Sequence, residues 1–223
     1  MRNPKSVSQF RWVGVRAAAL GLAVASVAPW MSGCSPLVVS GAMVGGTLVA
    51  IDRRTSGAQV EDEAIEFKGA LRVREVAGSG AHVNLTSYNR MVLITGEVPT
   101  ADEVKKVEQA VSRLDNVRSV VNELAVAPAS SLTTRSTDTV TTGRVKAAFI
   151  DTKDLQSNAI KVVTERGIVY LMGRVTPRES KLAAEVVRGV PGVQKVVRVF
   201  ESITEEELSA LRQDPTDKGA KKP

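Results

Sequence analysis

Cysteine occurs once in the 223 residues, at Cys34, and histidine once, at His82. A single cysteine excludes an internal disulfide framework. Together the two residues are too few for a His/Cys metal cluster, so no metal site is expected. His82 lies in an alternating, strand-like pattern, where a surface or half-buried histidine is the ordinary reading and a catalytic base is not. Aromatic residues make up only 4% of the chain. Valine and alanine carry the apolar load instead, which suits small domains better than one large core. Phosphate-loop and nucleophile-elbow motifs are missing. The glycine-rich "GAMVGG" lacks the Lys-Ser/Thr that a phosphate loop requires. Glu205, Glu206 and Glu207 read as a helix start favoured by the dipole. The expectation is a protein that is not an enzyme, with no catalytic residue and no small-molecule substrate.

Acidic residues are absent from residues 1–33, which carry Arg2, Lys5, Arg11 and Arg16. An apolar run from Val13 to Met31 follows, interrupted by Arg16 and Pro29, and is marginal beside the ~20 residues of a spanning helix. A basic start, an apolar run and small residues describe a secretory signal. Met31-Ser32-Gly33-Cys34 resembles a bacterial lipobox, which implies cleavage before Cys34 and a covalent lipid on that residue as the only non-protein group. Ser35, where aspartate would imply inner-membrane retention, points to the outer membrane and a periplasm-facing protein. Removal of residues 1–33 takes four basic residues from the 30 basic and 24 acidic, leaving 26 against 24, a net of +2 rather than +6. Whole-chain basicity is therefore no argument for a nucleic-acid partner, and none is expected. Residues 35–51, "SPLVVSGAMVGGTLVAI", are uncharged and read as a tether.

Two stretches repeat 77 positions apart: "RMVLITGEV" at 90–98 and "GIVYLMGRV" at 167–175. Each follows an alternating segment and a short polar turn, Asn89-Arg90 or Arg166-Gly167, and reads as the second strand of a β-hairpin. Gly96 and Gly173, in those second strands, are expected to serve a bulge or a positive φ. Thr100 with Glu103, and Thr176 with Glu179, fit capping boxes that open a helix after each hairpin. Pro177 takes the first helical position. A further apolar strand follows each helix, at Val117–Val126 and Val193–Phe200. Before each hairpin the spacing predicts another helix. One spans Asp62–Glu75, with Ile65 and Leu71 inward; the other spans Asp138–Ile150, with Val145, Ala148 and Phe149 inward. The predicted order is α-β-β-α-β, twice. The expected organisation is a signal at 1–33, a lipidated tether at 34–59, a first domain at 60–127 and a linker at 128–136. A second domain at 137–204 and a short helix with a frayed tail at 205–223 complete it.

The repeated unit, a strand ending in V-x-L/I-x-G-x-V, then a capped helix and V-x-x-V, resembles the BON domain. The resemblance implies an α+β fold: two tandem BON domains, each with helices packed on a small three-stranded mixed sheet. The order lipobox, tether, two BON domains is similar to that of dual-BON periplasmic lipoproteins. That family implies phospholipid binding and maintenance of envelope integrity without catalysis, with the second domain engaging anionic phospholipid through its first helix. Val140 stands where a large aromatic is expected on that helix. Charge points the same way. Residues 62–126 carry 8 basic and 10 acidic side chains, whereas residues 138–203 carry 11 and 7. Folding alone does not demand that asymmetry; an anionic partner for the second copy explains it. Val140, Arg144, Lys146 and Ala147 are the candidate lipid-binding residues, with an anionic phospholipid membrane as the expected partner. The alternative is a scaffold or adaptor for outer-membrane assembly or cell-division machinery, with an envelope protein as partner.

Overall fold

The computed structural model describes residues 52–212. Cys34, the expected signal and tether, and the tail beyond 212 lie outside the described residues. All the described residues belong to one compact unit. In chain order the first half runs α1 (Ser56–Val76), β1 (His82–Tyr88), β2 (Met91–Val98), α2 (Ala101–Ser112) and β3 (Ser119–Val126). The second half repeats it with α3 (Leu132–Asp151), β4 (Ile160–Glu165), β5 (Ile168–Val175), α4 (Pro177–Arg188) and β6 (Lys195–Ser202), and α5 (Glu205–Arg212) follows. The fold is α+β, built on two three-stranded mixed sheets ordered β1-β2-β3 and β4-β5-β6. In each, the hairpin is antiparallel and the strand returning from the helix lies parallel to the hairpin's second strand.

Local chemistry explains the hairpins. Asn89 and Arg90 have φ of 50° and 64°, and Arg166 and Gly167 have 53° and 72°. Two successive left-handed residues match the twist of a type I′ turn. Gly96 pairs with Val83 and Gly173 with Ile160 in ladders that carry no extra residue, so neither glycine sits at a bulge. Gly96 instead has φ 113°, and a Cβ there would lie 2.0 Å from the His82 carbonyl oxygen. At Gly173 a Cβ would lie 2.4 Å from the Ala159 carbonyl oxygen. Close backbone approach across the hairpin is what both positions require.

Helix α1 starts six residues before the expected Asp62, with the Thr55 side chain accepting from the Ala58 amide. Its inner face carries Asp62, Ile65, Gly69 and Val73 at i, i+3, i+7 and i+11. Leu71, which spacing placed inward, is 46% exposed. Gly69 holds the inner position because Leu85 and Leu114 close over it, within 2.5 and 3.3 Å of where a Cβ would sit. Helix α3 also starts early, at Leu132, and takes up most of the expected linker. Ser136 and Thr137 hydroxyls donate back to the Leu132 and Thr133 carbonyls, so residues that read as linker are absorbed into the helix.

Each sheet carries its helices on one face, over a core of Ile65, Val92, Ile94, Val107 and Val111 in the first domain. Val145, Phe149, Val169, Leu171 and Val187 form the equivalent core of the second. A third apolar cluster unites Tyr88 and Leu93 of the first domain with Tyr170, Met172 and Val199 of the second. The two sheets therefore meet along their helix-free faces. That explains why β2 and β5 are continuous apolar runs rather than alternating ones: both of their faces are buried.

Candidate functional site

Four predicted residues sit on the outer side of α3. Val140 is 53% exposed, and Arg144, Lys146 and Ala147 are exposed, while Val145 and Phe149 face the core. The face extends further than the sequence reading placed it. Leu132 and Ile150, 79% and 72% exposed, continue it towards both helix ends. Arg144 Nη1 donates to the Pro191 carbonyl at 3.3 Å, which steadies the side chain without neutralising it. A second exposed apolar row, Val60, Phe67 and Leu71, runs along α1 of the first domain. Leu71, which spacing places inward, belongs to this outer row.

Several of the second domain's extra cations are spoken for. Lys161 Nζ donates to Glu66 Oε1 at 2.8 Å and to the Ser87 carbonyl at 3.2 Å. Arg166 Nε lies 3.9 Å from Glu97 Oε1. Arg174 lies 3.4 Å from Glu201, and its Nη1 donates to the Arg53 carbonyl. Part of the charge difference between the domains is thus complementarity across their seam. Arg144, Lys146, Lys153, Arg178, Lys181, Arg188, Lys195 and Arg198 form no ion pair among the described residues.

The capping residues do more than cap. Thr176 accepts from the Glu179 amide and the Glu179 carboxylate accepts from the Thr176 amide, a complete box. The same buried carboxylate takes Arg53 Nη2 at 2.6 Å and Nη1 at 2.8 Å. Thr100 accepts from the Glu103 amide at 3.3 Å. The segment before α1 is therefore a clasp. Arg53 reaches into the second domain, whereas Arg54 stays in the first, bonded to Asp52 and Asp62 and stacked 4.5 Å over the Tyr88 ring. Burial pushes the Tyr88 hydroxyl up to about 12.

One aspartate per domain locks a hairpin turn. Asp62 accepts from the Asn89 and Arg90 amides at 2.7 Å, and Asp138 from the Arg166 and Gly167 amides at 2.8 Å. Both sit on the inner faces of helices otherwise read as amphipathic. Their recurrence at equivalent places in the two copies was the available signal.

Counting His and Cys alone left out a grouping that the fold assembles. His82 Nδ1 lies 3.2 Å from Glu97 Oε2 and 3.8 Å from Glu165 Oε1. Glu97 Oε2 also accepts from the Ser130 amide at 3.0 Å, and Asn84 Nδ2 donates to Glu165 Oε2 at 2.9 Å. Burial pushes the Glu165 carboxyl up; the Asn84 bond and His82 oppose this, while neighbouring Glu97 adds to it. The group joins strands β1 and β2 of one domain to β4 of the other.

With this geometry in place, comparison with known proteins is direct. The BON domain family model matches residues 68–128 and 137–202, more than half of the chain. The chain belongs to the BON domain family, as a protein of two tandem BON domains. It is 37% identical over 174 residues to outer membrane lipoprotein DolP of Haemophilus influenzae, covering 77% of this chain and 89% of that protein. It is also 30% identical to the 21 kDa hemolysin of Actinobacillus pleuropneumoniae, over 67% of this chain and 78% of that one. Osmotically-inducible protein Y of Escherichia coli is 26% identical, over 51% of this chain and 58% of its own length. Among the described residues no helix is long and apolar enough to cross a membrane.

Proposed function

We propose that this chain is a non-catalytic outer-membrane lipoprotein, anchored by lipid on Cys34 and facing the periplasm. In this reading its second BON domain binds anionic phospholipid and the protein helps maintain the envelope. The observation that carries the lipid reading is the outer face of α3, where exposed Leu132, Val140 and Ile150 stand beside exposed Arg144 and Lys146. Apolar side chains flanked by cations suit a headgroup boundary, and each cation near an anionic surface contributes about 1 kcal/mol. The similarity to an outer membrane lipoprotein supports the location. A lipid anchor raises the effective concentration of the face at the bilayer, so a weak contact is enough to orient the protein.

The test is co-sedimentation of residues 35–223, without lipid, with phosphatidylglycerol or phosphatidylcholine vesicles. Binding is expected only with phosphatidylglycerol and should fall as salt rises. The Val140→Glu, Arg144→Glu double variant should lower affinity about tenfold or more. Equal, salt-insensitive binding to both vesicles, or none, would overturn the reading. An envelope-protein adaptor is the second reading, favoured by the exposed Val60 and Phe67 of α1. It predicts a partner retained in detergent and lost with Phe67→Glu.

A further inference from the structure

We propose that His82, Glu97 and Glu165 form a binding site for a divalent transition cation, with zinc as its natural probe, at the seam between the two BON domains. One ligand atom from each residue falls within 4.8 Å of the other two. Metal–ligand bonds of 2.0–2.2 Å in a tetrahedral site set ligand atoms about 3.3 Å apart. His82 Nδ1 stands 3.2 Å from a Glu97 oxygen and 3.8 Å from a Glu165 oxygen, and the two carboxylate oxygens lie within 4.8 Å of each other, so the ligands close in on a bound cation. Imidazole nitrogen with two carboxylates is a donor set that zinc accepts and calcium or magnesium disfavours.

The other oxygen of the same Glu97 carboxylate supplies a second observation. Glu97 is 1% exposed, and its Oε1 has no hydrogen-bond partner. The nearest cation to that oxygen is Arg166 Nε, 3.9 Å away on a half-exposed side chain. Buried carboxylate oxygens are normally satisfied, and an orphan calls for an explanation such as an ion. Two buried carboxylates face one histidine and the half-exposed Arg166, and a divalent cation would add positive charge between them. Two carboxylates already have outer partners: Asn84 Nδ2 donates to Glu165 Oε2 and the Ser130 amide donates to Glu97 Oε2. Such contacts orient ligands. A cavity of about 290 Å³ bordered by His82, Asn84, Arg135, Asp138 and Glu165 reaches two of the three ligands and gives a cation its entry. Because Glu165 comes from the second domain and the other two ligands from the first, the cation would tie the domains together.

His82 is the only histidine in the chain, so its ring proton is an unambiguous reporter. The experiment uses untagged, chelator-treated residues 35–223, which omit the competing thiol of Cys34 and contain all the described residues. Zinc is added while the His82 Cε1–H resonance and the Tm are followed. A saturable 1:1 change at His82 with a raised Tm is expected. Glu97→Gln and Glu165→Gln should each weaken zinc binding by at least about tenfold while circular dichroism in chelator stays native. No saturable change at His82 in the unaltered chain would overturn the proposal. So would unaltered affinity in both glutamine variants, since imidazole alone would then be the binder. The unaltered chain decides the existence of the site even if a variant fails to fold.

Discussion

Asp62 receives four donors: the Ser87 hydroxyl at 2.6 Å, the Asn89 and Arg90 amides at 2.7 Å, and Arg54 at 2.8 Å. Burial pushes its carboxyl up, but the Ser87, Arg90, Arg54 and Asn89 bonds outweigh that and hold it below the ordinary 3.8. A carboxyl lowered in the folded state stabilises the fold above its unfolded pKa, and this contribution is lost as pH falls through the folded value. Asp62→Asn should therefore cost about 2–4 kcal/mol near neutral pH, because hydrogen bonds to a buried charge are lost and donors are stranded. That cost should shrink as pH falls below about 4, where the native carboxylate itself takes up a proton. Urea titrations of both proteins from pH 7 to pH 2.5 measure it. A pH-independent difference would show that the aspartate acts by shape rather than by charge.

At the scale of elements, Gly96 and Gly143 are opposite cases. Alanine at Gly96 would force a Cβ to within 2.0 Å of the His82 carbonyl at φ 113°, where the partner is backbone and cannot move aside cheaply. Gly96→Ala is expected to cost about 3 kcal/mol or more. Gly143 lies in α3 with nothing within 4 Å of a Cβ, so Gly143→Ala should stabilise by about 0.5–1 kcal/mol. Chemical denaturation of the two variants decides both signs. The contrast also marks what the sequence made legible. Hairpins and capped helices were readable because alternation, type I′ turns and Thr-x-x-Glu boxes are local signals. Helix α3 was read six residues short because Ser and Thr favour turns until their hydroxyls fold back on the helix. The outer face of α3 was legible from 3.6-residue spacing, but Ile150 and Leu132 were not assigned to it. His82 with Glu165 was not legible at all: the two are 83 positions apart in sequence and meet only when the sheets pack.

For the whole molecule, the helix-free faces of the two sheets decide how the protein unfolds. Tyr88, Leu93, Tyr170, Met172 and Val199 are buried only because the other sheet covers them. A separated domain would expose that apolar face, so neither sheet is expected to persist without its partner. The Arg53–Glu179 pair, with both side chains 2% exposed, fastens the same seam. Residues 35–223 contain no tryptophan, and their two tyrosines, Tyr88 and Tyr170, stand one on each side of it. Tyrosine fluorescence therefore reports the seam while far-ultraviolet circular dichroism reports the helices and sheets. In the unaltered chain the two signals should fall together in urea, as one cooperative transition. Arg53→Ala removes the guanidinium from the buried Glu179 carboxylate and should lower stability by about 3–5 kcal/mol. Leu93→Ala with Met172→Ala removes apolar contacts from both sides of the seam at a cost of about 2–5 kcal/mol each. In that double variant both signals should still fall together, at lower urea, because a sheet parted from its partner melts. Coincident curves in every variant would mean that the domains have no stability apart from each other. Separated curves in the unaltered chain would mean that the seam contributes little and that each domain is held by its own helix-covered core.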